Sequence, residues 1–88
     1  MPRGSIPAEV ACAIVEDGAV LLHMGTKRYF SLNETGAEIW RLVEEGVAIE
    51  DIPARLHERY DVLLDEARRT VDALVALLVE KELLTVAD

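Results

Sequence analysis

Eighty-eight residues can bury one modest core, about 60–65% of the unfolded surface, so a single domain over 1–88 is expected, with a loose segment at 1–8. Hydrophobic residues make up 51%, yet no apolar run approaches the roughly 18 residues of a membrane helix, and Met1-Pro2-Arg3-Gly4-Ser5 lacks a signal peptide's apolar core. A net charge of −8 disfavours nucleic acid as a partner, and the single cysteine, Cys12, excludes an internal disulfide and fits a reducing, cytoplasmic setting.

Residues 1–8 hold two prolines and a glycine and read as a loose or extended lead-in. Val10 to Glu16 is a near-continuous run of strand formers. Asp17-Gly18 is a hairpin signal, because both central positions of such a turn need positive φ. Ala19 to Met24 follows as a second strand, and Gly25-Thr26 breaks it. Arg28 to Leu32 is a third strand, antiparallel to the second and an edge if the order follows the chain. Within it Tyr29 and Ser31 point one way, Phe30 and Leu32 the other. One pair must face the core, and the sequence leaves open which.

Three helices come next. Asn33 can cap the first, and Thr35-Gly36-Ala37-Glu38 also fits a capping box. Ala37, Ile39, Trp40 and Val43 form its apolar stripe, and Gly46 is a natural stop. The second spans about Ile49 to Tyr60. A start at Asp51 puts Pro53 in the first turn, where its missing N–H costs nothing. The third runs from about Leu64 to Glu82. Leu64, Ala67, Val71, Leu74, Val75, Leu77 and Leu78 cover one broad arc, while Ala73, Ala76 and Val79 lie outside it. That arc reads either as a buried helix face or as one whose flank lines a groove.

The chemistry is sparse. His23 and His57 have no cysteine or acid at metal-ligand spacing, and no glycine-rich phosphate loop is present. Cys12 lies among alanines with no basic neighbour to activate it. No enzyme activity, metal or cofactor is expected. Charge is uneven: residues 1–33 balance to zero, whereas residues 34–88 carry six basic and fourteen acidic side chains. Three strands followed by three helices suggest an α+β, winged-helix-like fold, with a three-stranded antiparallel sheet. A DNA-binding regulator of that fold would need a basic recognition helix. Residues 63–82 instead carry Asp65, Glu66, Asp72, Glu80 and Glu82 against Arg68, Arg69 and Lys81.

The run Gly25-Thr26-Lys27-Arg28-Tyr29-Phe30-Ser31-Leu32-Asn33, then Gly36-Ala37-Glu38-Ile39-Trp40 and Leu42 to Gly46, resembles the PqqD-type family. Asp51-Ile52, Leu56, Tyr60 and Val71 to Leu78 continue the likeness, which covers about residues 17–84. Glu82 and Ala48 depart from it, where glycine and a capping hydroxyl are common. The family is the RiPP recognition element, and the resemblance implies binding of a precursor's leader peptide. The leader would add as an antiparallel strand to the third strand and pack on the third helix. The implied partners are a leader peptide and a leader peptidase or other modifying enzyme, as in split lasso-peptide systems. A peptide chaperone for a radical-SAM enzyme, as in pyrroloquinoline quinone biosynthesis, is the alternative. Neither nucleic acid nor membrane is an expected partner.

The expected peptide site comprises Lys27, Arg28, Tyr29, Phe30, Ser31 and Leu32 on the strand, with Arg68, Val71, Asp72, Val75 and Val79 on the helix. The helix offers two flanks. One runs through Arg68, Asp72, Val75 and Val79, the other through Thr70, Ala73, Leu77 and Lys81. The valines of the first flank, rimmed by Arg68 and Asp72, make it the preferred groove wall, so Val79→Asp is expected to abolish binding.

Overall fold

Alternating small and branched residues set the sheet, and one face of it must be covered. The structure, a computed structural model, describes residues 3–87. Arg3–Ser5 forms β1, Val10–Val15 β2, Gly18–His23 β3 and Arg28–Asn33 β4. Helices α1 (Glu34–Glu44), α2 (Ile52–Arg59) and α3 (Leu64–Glu80) follow, and Thr85–Ala87 is β5. Strands β2, β3 and β4 make an antiparallel sheet in chain order. The architecture is the expected α+β one, a three-stranded sheet followed by three helices.

The sheet's inner face is settled by burial. Ala19 and Leu21 on β3 and Leu32 on β4 are buried, and Phe30 is half-buried beside them. Tyr29 is 74% exposed and Ser31 is exposed, so this pair points to the opposite face. Against the inner face pack Ile39, Trp40 and Val43 from α1, Ile52 and Leu56 from α2, and Ala67, Val71 and Leu78 from α3. Burying such side chains stabilises a fold by roughly 1.5–3 kcal/mol each.

Local chemistry fixes the ends of these elements. Asn33 is the α1 cap, its Oδ1 accepting the Gly36 N–H at 2.8 Å. Gly46, at φ 86°, closes the same helix: its N–H donates to Val43 O and that of Val47 to Leu42 O. A 3-10 turn at Ile49–Asp51 leads into α2 and leaves Pro53 in the first turn. The buried His23 accepts the Gly25 and Thr26 amides on Nδ1, both at 3.1 Å, which puts the ring proton on Nε2. Arg41 grips Glu38 through Nε at 3.1 Å, and that contact holds the Glu38 carboxyl below its ordinary range. Arg41 also pairs with Glu45, along the outer side of α1.

Four features differ from the sequence reading. Arg3–Ser5, in the expected lead-in, is a strand paired with β5, a long-range contact that six residues of weak strand propensity do not announce. Met1 and Pro2 lie outside the described residues. The β2–β3 turn is centred on Glu16-Asp17, with Val15 opposite Gly18, so only Gly18 takes positive φ, at 156°. Leu64 is 39% exposed and outside the core despite its place in the apolar arc. Finally, α3 ends at Glu80 because Glu82 turns left-handed, φ 60°.

That last turn explains the family's glycine. The Glu82 N–H donates to Val79 O and the Leu83 N–H to Leu78 O, a helix stop whose left-handed residue is normally glycine. A side chain there costs about 1 kcal/mol. Glu82→Gly is expected to raise the thermal midpoint by roughly 4–8 °C for a domain this size, checked by calorimetry.

Candidate peptide-binding groove

Strand β4 is an edge: β3 lies on one side and no strand on the other among the described residues. Its outward N–H and C=O groups are therefore open to a further strand. Beside that edge runs a groove of about 690 Å³ between β4 and α3. Phe30, Ser31 and Leu32 form one wall, and Thr70, Ala73 and Leu77 the other. Buried Ile39 and Leu56 lie beneath, and Tyr60 and Val62 come from the α2–α3 connection. Among the described residues lining it, Glu66 is the one charged side chain.

The two walls run antiparallel. A second hollow of about 440 Å³ shares Phe30 with the groove and is lined by Arg28, Tyr29, Glu80, Lys81 and Glu82. The C-terminal end of α3 thus lies by the start of β4, and Glu66 lies toward the end of β4. Lys81 Nζ sits 5.9 Å from the centre of the Phe30 ring, a cation–π contact where the two cavities meet. Glu80 and Glu82 balance Arg28 and Lys81 there, so that end has no net charge.

Of the expected site residues, Phe30, Ser31 and Leu32 line the groove, and Arg28 and Tyr29 line the adjoining hollow. Lys27 is exposed in the β3–β4 turn at φ 64°. The helix wall is the flank opposite the preferred one: Arg68, Asp72, Val75 and Val79 do not line the groove. Val71 is 0% exposed, sealed in the core and out of a ligand's reach. The reason is the way α3 lies on the core. Ala67, Val71 and Leu78 are its buried stripe, and at 100° per residue Thr70, Ala73 and Leu77 fall on the side of that stripe that lines the groove with β4, whereas Arg68, Asp72 and Val79 fall on the far side, where Val75 packs against the core. Periodicity alone left the two flanks open, and the apolarity of the valines pointed to the far one.

Among the described residues no three His, Cys, Asp or Glu side chains gather as a metal site. Burial, with a smaller push from Glu44, raises the Cys12 thiol above its ordinary range, opposite to what a nucleophile needs. His57 donates from Nδ1 to Val62 O at 2.7 Å, a structural tie between α2 and the next loop. No helix of the described residues is long and apolar enough to cross a membrane.

A winged-helix-like frame with an open strand edge beside a helix-lined groove defines a PqqD-like RiPP recognition element. The chain belongs to the PqqD family: residues 18–84 match the family described as Coenzyme PQQ synthesis protein D (PqqD). Two solved structures are similar to it over nearly their whole length. TbiB1 in complex with the TbiA(beta) leader peptide is 37% identical, with a TM-score of 0.83, covering 90% of this chain and 92% of the other. Lasso peptide synthetase B1 complexed with the leader peptide is 29% identical, with a TM-score of 0.86, covering 94% and 98%. Among curated proteins nothing matches.

Proposed function

We propose that this chain binds the leader region of a ribosomally made precursor peptide and delivers it, without catalysing a step itself, to a processing enzyme in the cytoplasm. The carrying observation is the free β4 edge directly beside the groove. Each of the two similar structures is a complex with a leader peptide, and one is of a lasso peptide synthetase B1, which supports leader binding in a lasso-peptide system. The enzyme proposed for that system is a leader peptidase. The leader adds as an antiparallel strand, the more stable pairing and the pattern of the whole sheet. Backbone bonds to β4 supply register. Apolar leader side chains enter between Phe30 and Leu77, and Glu66 offers an acceptor at the leader's N-terminal side.

A PQQ-type chaperone presenting its peptide to a radical-SAM enzyme uses the same groove and remains the second reading, on the family match. DNA binding gains no support, since α3 carries more acidic than basic residues.

Recruitment is the whole of the proposed mechanism. Holding precursor and enzyme together converts a bimolecular encounter into a local one, at effective concentrations in the millimolar range. Cleavage by the cognate leader peptidase is therefore expected to rise strongly on adding this protein at low precursor, and to rise little at saturating precursor. Precursor cleavage rate against concentration, with and without the protein, checks this. Equal rates throughout would refute recruitment, and turnover by the isolated chain would refute a non-catalytic role.

A further inference from the structure

The sheet has a second free edge. Strand β2 pairs with β3 on one side and with no strand on the other among the described residues. Its six residues, Val-Ala-Cys-Ala-Ile-Val, contain neither a charge nor a proline, the usual protections of an edge. Its charges stand only at its ends, Glu9 before it and Glu16-Asp17 after it, whereas β4 carries Arg28 within the strand.

The strand is also incompletely covered. Val10, Cys12 and Ile14 lie opposite His23, Leu21 and Ala19, so they share the face that packs on the helices. Val10 and Cys12 are half-buried there, but Ile14 is 78% exposed although its partner Ala19 is 1% exposed, so the cover over β3 does not reach the outer strand at this point. Val15, on the other face, is 48% exposed. An edge with no charge along its length and an uncovered isoleucine coincide at one place.

Charge decides what fits. The flanking residues are all acidic, Glu9 before the strand and Glu16-Asp17 after it. A second copy added antiparallel would set Glu16 and Asp17 of each chain against Glu9 of the other, and both copies carry −8. Like charges facing across a strand pair destabilise it. A strand with basic flanks meets the opposite situation.

We infer that the β2 edge accepts one extended strand from a second protein, apolar at its centre and flanked by lysine or arginine. The sheet is then a two-edged adaptor with the order leader, β4, β3, β2, partner. Four strand spacings of about 4.8 Å separate the two guests by roughly 19 Å. The inference goes beyond leader binding and stands on different residues.

Amide chemical-shift mapping on the full chain tests it, with the synthetic peptide Lys-Lys-Val-Thr-Val-Thr-Val-Lys-Lys and a counterpart whose lysines are glutamates. The basic peptide is expected to shift the signals of residues 10–15 and to bind about tenfold more tightly than the acidic one, a gap of about 1.4 kcal/mol. Ile14→Lys, at a site exposed enough to leave folding intact, should lose this response yet bind the TbiA(beta) leader peptide like the parent chain. Equal responses to both peptides, or shifts confined to residues 28–33, overturn the inference. A dimer in sedimentation that Ile14→Lys dissociates assigns the edge to a second copy and also overturns it. Failure of the leader peptide alone to bind, with residues 10–15 still responding, refutes the leader reading and supports the second edge.

Discussion

Replacing Ala73 with glutamate is expected to weaken leader binding on the order of a hundredfold while leaving the fold intact. Ala73 is exposed and lies outside the core, so the helix tolerates a larger side chain there. It also lines the groove wall opposite Phe30 and Leu32. A bound leader would force the new carboxylate partly out of water with no basic side chain lining the groove to pair with, and a hundredfold loss corresponds to about 2.7 kcal/mol. The control is Val79→Asp on the same helix. Val79 is 43% exposed and does not line the groove, so its change is expected to leave affinity within about twofold, under 0.5 kcal/mol. Fluorescence anisotropy with a labelled TbiA(beta) leader peptide measures both, and circular dichroism checks that each variant is folded. Loss of binding in Val79→Asp with retention in Ala73→Glu would move the site to the other flank.

Gly18→Ala is expected to be the most damaging single-methyl change in the sheet. A Cβ at position 18 would lie 1.9 Å from the backbone oxygen of Leu32, and φ 156° is a conformation that side-chain-bearing residues rarely adopt. The obstacle is backbone, so no rotamer change relieves it. Strand β4 would have to move away from β3 at Leu32, which anchors the groove wall. A cost of about 3 kcal/mol or more is expected, a large part of the roughly 5–15 kcal/mol that holds a small domain together. Thermal unfolding should show a midpoint lower by roughly 10–20 °C. A midpoint within a degree or two of the parent would mean that the hairpin can shift its register at little cost.

The edge strand beside the groove was readable in the sequence, and the face of α3 that lines the groove was not. Tyr29 to Leu32 alternates cleanly and follows a hairpin, so an edge strand leading into a helix capped by Asn33 could be read directly. Which face of that strand is inner depends on what α1 places above it, and period-two alternation carries no such information. The groove's helix wall was undetermined for a related reason. The arc from Val71 to Leu78 is apolar almost all round, so periodicity left two flanks that differ little in hydrophobicity. What decides is which side of the buried stripe Ala67, Val71 and Leu78 meets β4, and that is a matter of chain topology. The β1–β5 pair is a different kind of miss: Gly4 faces Val86 across almost the full chain, and local propensity cannot signal such a contact. Glu82 shows the reverse case. Its departure from the family's glycine was visible in the sequence, and the left-handed turn supplies the physical cause.

Amide hydrogen exchange across β4 tests the central claim most directly. Its inward-facing amides are already paired with β3, so new protection must come from the open edge. Saturating TbiA(beta) leader peptide is expected to slow exchange at alternate residues of Arg28–Asn33, with lesser changes along Thr70–Leu77. Unchanged exchange throughout Arg28–Asn33, at a peptide concentration where anisotropy shows the protein to be saturated, would contradict strand addition at this edge.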